Sequence, residues 1–143
     1  MSTMLEGKVV IVTGSGGGIG RDMALAMAKE GAKVVVNDIG TSTTGEGHDD
    51  GPAQKVVNEI KAAGGEAVAN TDSVSDANAA AKIVQCALDS FGKLDGIVNN
   101  AGILRDRFFH KMSVDEWDAV IKVHLYGSYY VARAAANHFK EQE

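Results

Sequence analysis

An α/β fold built on a doubly wound parallel sheet is what the sequence predicts, on three observations. Short β-branched runs alternate with stretches of helical periodicity along the 143 residues. The segments between successive runs are long enough to hold a helix each, which implies parallel strands joined by right-handed crossovers rather than hairpins. Each strand-like run also ends in a glycine, acid or amide, so the polar chemistry gathers along one edge of the sheet.

The elements follow in order. Lys8-Val9-Val10-Ile11-Val12-Thr13 is an apolar run, uncharged after Lys8, that stops at Gly14-Ser15-Gly16-Gly17-Gly18-Ile19-Gly20. A helical pattern starts at once, with Ile19, Met23, Ala26 and Met27 predicted on one face. Lys29-Glu30-Gly31 ends it, Gly31 being free to take a positive φ. Lys33-Val34-Val35-Val36-Asn37-Asp38 is a second strand that finishes in an acid. Residues 40–51 form a long polar loop, and Pro52 suits the first turn of a helix whose apolar positions are Val56, Val57, Ile60 and Ala63. Gly64-Gly65 closes that helix, residues 66–70 give a third strand, and Asp72-Ser73-Val74-Ser75-Asp76 is a turn with capping chemistry. Ile83, Val84, Ala87, Leu88 and Phe91 mark an amphipathic helix that stops at Gly92. Residues 94–98 are a fourth strand running into Asn99-Asn100-Ala101-Gly102. The last helix opens with a capping box, Ser113 and Glu116, and a staple pair, Met112 and Trp117. Its predicted stripe is Trp117, Val120, Ile121, His124, Ser128, Val131, Ala132 and Ala135. Four such strand–helix units predict a Rossmann-type sheet of order 3-2-1-4 in one domain over 1–143, with ligand at the C-terminal strand ends.

Composition removes several function classes. The net charge is −5 with no basic block, so nucleic acid is not an expected partner. One cysteine, Cys86, leaves no disulfide framework and no Cys-rich metal site. His48 and His110 have no second ligand at metal spacing, so no metal is expected. No signal peptide and no bilayer span are read, and Glu141-Gln142-Glu143 is not a peroxisomal address. A cytoplasmic chain is the expectation. Arg105, Asp106 and Arg107 read as solvated loop charges, with CoA phosphates as the competing role. Phe108 and Phe109 are expected to pack.

The glycine turn is not the G-x-G-x-x-G fingerprint: counted from Gly14 the sixth position is Ile19, and from Gly16 it is Arg21. No Lys-Ser or Lys-Thr pair follows the glycines, so the phosphate loop of ATPases fails too. What stands there is Thr13-Gly14-x-x-x-Gly18-Ile19-Gly20, between a strand and a helix. The first free N–H groups of such a helix favour a phosphate. Asp38 ends the second strand, where a carboxylate can accept from adenosine ribose hydroxyls and repel a 2′-phosphate. The plainer alternative is a solvated strand-end acid.

Together with Asp72-Ser73 and Asn99-Asn100-Ala101-Gly102, these residues resemble the short-chain dehydrogenase/reductase family. The resemblance implies NAD as cofactor, cradled at Gly14, Ser15, Gly18, Ile19 and Gly20. It implies that Asp72 meets the adenine amine beside a backbone N–H of Ser73. It further implies that Asn99, Asn100, Ala101 and Gly102 fix the strand end and line the adenosine-ribose side. Asn37-Asp38-Ile39-Gly40, Val68-Ala69-Asn70, Ile103-Leu104-Arg105-Asp106-Arg107 and Val123-His124-Leu125-Tyr126-Gly127-Ser128 are similar to one branch. That branch is the (3R)-hydroxyacyl-CoA dehydrogenase module of peroxisomal multifunctional enzyme type 2 and its free-standing bacterial relatives. The resemblance implies hydride transfer between NAD and a secondary alcohol or ketone, such as a 3-hydroxyacyl thioester, in a homodimer or homotetramer.

The family's proton shuttle, a Tyr with a Lys four residues on, has no counterpart here. Tyr126 is followed by Tyr130, Tyr129 by Arg133 and Tyr130 by Ala134. In the family that pair and its Ser come after a fifth strand, so this chain reads as the cofactor-binding part, inactive by itself. His124 stands where many members carry a relay Asn; it is the one catalytic candidate, with a buried, hydrogen-bonded histidine as the alternative role. A non-catalytic dinucleotide-binding or scaffold module is the competing function. Residues 96–98 are expected to form an open apolar edge, so stability is expected to depend on the missing half or on oligomerisation.

Overall fold

The computed structural model of the chain describes residues 3–40 and 51–142. Four parallel strands, β1 (Val9–Thr13), β2 (Lys33–Asn37), β3 (Glu66–Asn70) and β4 (Gly96–Val98), form one sheet in the order β3-β2-β1-β4. This is the predicted order. The helices are α1 (Gly18–Lys29), α2 (Gly51–Ala62), α3 (Ala77–Phe91), α4 (Val114–Ile121) and α5 (Gly127–Glu141), with a short 3₁₀ turn at Phe109–Lys111. The interior of the long polar loop, His48 included, lies outside the described residues.

Period-two alternation explains why the strands read as unbroken apolar runs. Val9 and Ile11 on β1 and Val35 on β2 face α3 and α5, with Ile83, Ala87, Val131 and Ala135. Val10, Val12, Val34 and Val36 face the other way, onto Ala24 of α1 and Val56, Val57 and Ile60 of α2. A parallel sheet covered on both faces has no polar side to show. The switch point lies between β1 and β4: the chain winds outward from β1 through β2 to β3, then α3 carries it back to β4 on the other side of β1.

Local signals set the element ends. Asp76 caps α3 by accepting the Ala79 N–H at 2.8 Å, and Gly92 stops it in the left-handed region. Gly31 after α1 has the expected positive φ of 97°. Ser113 caps α4 through the Glu116 N–H at 3.1 Å. The Glu116 carboxylate turns instead to Arg107, at 3.2 Å from both Nε and Nη2.

Several expected faces are displaced. On α1 the buried positions are Gly20 and Ala24, whereas Ala26 is exposed and Ile19 is 75% exposed. A glycine and an alanine let α1 lie close on the sheet, which turns the bulkier Ile19 outward. Ala63 is exposed, one residue past the end of α2. Phe108 and Phe109 do not pack; they are 75% and 86% exposed. Trp117 is 55% exposed, so the staple with Met112 buries little.

The predicted last helix is interrupted by a π turn, Lys122–Tyr126, between α4 and α5. A π turn takes extra residues per revolution, so the part of the predicted stripe before its end, with Trp117 and His124 exposed, is out of phase with the part after it, where the predicted Val131 and Ala135 are buried. Gly127, Val131 and Ala135 are the buried positions beyond it, while His124 and Ala132 are exposed. Gly127 permits the close approach: a Cβ there would stand 2.8 Å from Cγ2 of Val74.

Candidate cofactor site

A cavity of about 730 Å³ opens at the C-terminal edge of the sheet. Its walls come from the ends of all four strands: Gly14 and Gly16–Gly18 after β1, Asp38 and Ile39 after β2, Asp72 and Ser73 after β3, and Asn100–Ile103 after β4. Asp118 and Val123 close the far side from α4 and the π turn. That volume suits a cofactor-sized molecule.

The floor is stapled between β1 and β4. Thr13 Oγ1 donates to the Val98 carbonyl (3.3 Å) and accepts the N–H groups of Asn100 (3.1 Å) and Ala101 (3.0 Å). The Asn100 side-chain amide donates to the carbonyls of Thr13 and Gly14, both at 3.1 Å. Gly14 has φ of 63°, and a Cβ on it would lie 2.8 Å from Cα of Ala101. Gly20 packs beneath, with a hypothetical Cβ 2.5 Å from the Asn100 amide nitrogen. These glycines are spent on bringing the turn against the neighbouring strand end.

Above that floor, α1 starts after Gly17, which gives it no side-chain cap, and its first turn holds no acid. Its leading N–H groups and positive dipole end are therefore left for an anion. Beside them, Asp38 Oδ2 accepts the Gly16 N–H (2.9 Å) and Oδ1 accepts the Gly40 N–H (2.7 Å). The carboxylate is held by backbone and faces the cavity. Asp72 is held differently: Asn70 donates to its Oδ2 (2.9 Å), while Asn37 donates to Asn70 Oδ1 (2.9 Å) and to the Asp72 carbonyl (2.9 Å).

Of the residues singled out in sequence, Gly14, Gly18, Asp38, Asp72, Ser73, Asn100, Ala101 and Gly102 converge on the cavity wall. Ser15, Ile19, Gly20 and Asn99 do not line it. Ser15 is fully buried with its hydroxyl on the Val12 carbonyl at 2.6 Å, and Asn99 is exposed. Thr13, Asn37 and Asn70 stand in the quoted motifs without a role of their own, and Gly16 is not singled out. A signal existed for the first three: Thr13 pairs with Asn37 and Asn37 with Asn70 in the sheet register, a polar row ending three strands at the same level. Nothing in the sequence set Gly16 apart from its neighbours.

His124 is exposed rather than buried, yet it is hydrogen-bonded. Its Nε2 sits 2.9 Å from the Ile103 carbonyl and 3.1 Å from the Ile103 N–H, and the tautomer decides which bond forms. The ring lies against Gly102, where a Cβ would come within 2.6 Å of Cε1. Ser128 donates to the His124 carbonyl at 2.7 Å, tying the π turn to α5. His124 thus grips the loop that forms one cavity wall.

Two half-buried groups outside the cavity lining are perturbed. Burial works to raise the Asp95 carboxyl, but the Val9 N–H at 2.8 Å and Lys93 at 3.1 Å outweigh it and hold the group below its ordinary value. Burial pushes the Cys86 thiol up. Among the described residues no group of three or more His, Cys, Asp or Glu could hold a metal ion. No described helix is long and apolar enough to cross a membrane.

Comparison with known proteins agrees with this geometry. The short chain dehydrogenase family profile matches residues 8–143. Peroxisomal multifunctional enzyme A of Dictyostelium discoideum is 58% identical over 142 residues, 99% of this chain and 32% of that protein. A hydroxyacyl-CoA dehydrogenase of Mycobacterium tuberculosis is 43% identical over 145 residues, 99% of this chain and 43% of that protein. The crystal structure of a short chain dehydrogenase from Mycobacterium avium superimposes with a TM-score of 0.88 at 54% identity, covering 96% of this chain and 47% of that one. The chain spans about half the length, or less, of these relatives. With the family profile matched from residue 8 onward, the 3-2-1-4 sheet and the glycine turn in its place, the chain belongs to the short-chain dehydrogenase family.

Proposed function

We propose that this chain is the cofactor-binding part of an NAD-dependent oxidoreductase that moves a hydride between NAD and a secondary alcohol or ketone, a 3-hydroxyacyl thioester being the substrate class. The observation that carries the reading is the pairing of Asp38 with the uncapped start of α1 on one cavity wall. The α1 amides suit a pyrophosphate, and the two carboxylate oxygens suit the vicinal hydroxyls of the adenosine ribose. A 2′-phosphate would meet the Asp38 charge at close range, which supports NAD over NADP. Asp72, aimed by Asn70, is the acceptor for the adenine amine, with Ser73 beside it. The glycine cradle, the cavity volume and the donor set all fit that cofactor.

NAD, when bound, supplies the hydride acceptor. The residues of this chain bind its adenosine side and hold the β4 loop, and His124 serves as a positioning residue through Ile103. The substrate class rests on the name of a relative, a hydroxyacyl-CoA dehydrogenase. A homo-oligomer in the cytoplasm belongs to the same reading.

The test is an assay of the full-length protein with (3R)-3-hydroxyacyl-CoA and either NAD or NADP. Turnover with NAD, and much weaker turnover with NADP, is the expected result. Turnover with NADP alone overturns the role of Asp38. NAD binding without turnover of any secondary alcohol favours a non-catalytic binding module.

A further inference from the structure

We infer that Gly16 is a specificity-determining position: its missing side chain lets the Asp38 carboxylate rest on the Gly16 N–H, and that contact sets the preference for an unphosphorylated adenosine ribose. The inference rests on the reading of Asp38 given above.

The space around Gly16 is what demands glycine. A Cβ there would lie 2.8 Å from Cβ of Pro52, 2.9 Å from Cγ of Asp38 and 2.9 Å from Asp38 Oδ2. Real Cβ atoms do not approach so closely, so an alanine must displace one of those neighbours. Pro52 is a stiff ring in the first turn of α2 and yields poorly. The Asp38 side chain is the part that swings. Backbone conformation, by contrast, asks for nothing: Gly16 is not among the glycines with positive φ. Gly17 next to it is in open space, so the run is not uniformly closed to side chains.

The consequence is electrostatic as well as steric. With Gly16 as it is, Asp38 is held at both oxygens, by Gly16 on one and Gly40 on the other. Each oxygen has a second lone pair, so two ribose hydroxyls can still donate to it. A carboxylate fixed in this way receives a diol without reorganising and repels a 2′-phosphate from a set distance. A side chain at position 16 would release one anchor and let the carboxylate turn away. The diol then loses its preorganised acceptor, and the phosphate loses much of its opponent.

The experiment is a titration of the full-length protein with NAD and with NADP, for wild type, Gly16→Ala, Asp38→Ala and the double variant. Wild type should favour NAD. Gly16→Ala should raise the Kd for NAD roughly tenfold and change that for NADP far less, the loss of about one charge-assisted hydrogen bond. In turnover the change should fall on KM for NAD rather than on kcat. In the Asp38→Ala background, Gly16→Ala should leave the NAD-to-NADP ratio where it was. Equal losses for the two cofactors, or a ratio that still shifts without Asp38, would overturn the inference while leaving NAD dependence intact. A wild type that favours NADP would overturn the Asp38 reading itself, and this inference with it. Thermal melts of all four proteins separate a folding defect from the binding effect: a Gly16→Ala protein that melts normally but keeps full discrimination also counts against the proposal.

Discussion

Asn100 and Asp95 hold β1 at its two ends, and single substitutions there should have different signatures. Asn100 donates one amide to two carbonyls of the glycine turn. Asn100→Ala leaves both without that donor and should cost about 1–3 kcal/mol of stability, with weaker NAD binding because the turn loses its floor. Urea unfolding and an NAD titration of the same variant would check this. Asp95 anchors the other end through the Val9 N–H. Its folded pKa lies below the unfolded value of roughly 3.9, so its contribution is fully present above that pH and is lost as pH falls through the folded value. Asp95→Asn should therefore destabilise at neutral pH by about 1–2 kcal/mol, and the gap to wild type should close below about pH 4. Denaturation midpoints measured from pH 7 down to pH 3 would show it; a gap independent of pH would contradict the assignment.

At the scale of elements, helix starts were legible and helix faces were less so. Asp76 and Ser113 announce themselves by residue type, since a cap is a local bond between a side chain and an amide three residues on. Asp76→Ala should cost about 1 kcal/mol, read from the denaturation midpoint, with little effect on cofactor binding. The α1 face and the π turn were not legible, because both answer to distant neighbours. Gly20 is buried against the glycine turn and the Asn100 side chain, where a Cβ has no room, and the turn at Lys122–Tyr126 places Gly127 against Val74. His124→Ala should loosen the loop at Gly102 and Ile103. The expected effect is a raised KM for NAD and faster amide exchange at Ile103, and unchanged exchange there would argue against a positioning role.

For the whole molecule, the surface left uncovered is informative. Val114, Trp117, Leu125, Tyr126 and Tyr129 are exposed along the last helical stretch, and β4 pairs only with β1 among the described strands. Polypeptide 1–143 expressed by itself should self-associate, as exposed apolar surface and an unpaired strand edge do. Sedimentation velocity would measure this; a monomer that unfolds cooperatively with an ordinary m-value would refute it.

What the sequence alone determined is the topology and the identity of the turn. Both follow from order along the chain: four apolar runs with helices between them, a glycine turn after the first and an acid after the second. Asp38, Asp72 and Asn100 could be named because each follows a strand, and strand ends meet at one edge of a parallel sheet. Only the tertiary structure decided which glycines touch the ligand space and which merely bring backbones together. It alone placed Thr13, Asn37 and Asn70 as supports, turned Ile19 and Phe109 outward, and closed Asp38 onto Gly16. The physical reason is range. Periodicity and caps are set within a few residues, whereas Gly16 meets a carboxylate twenty-two residues away, just past the end of the neighbouring strand.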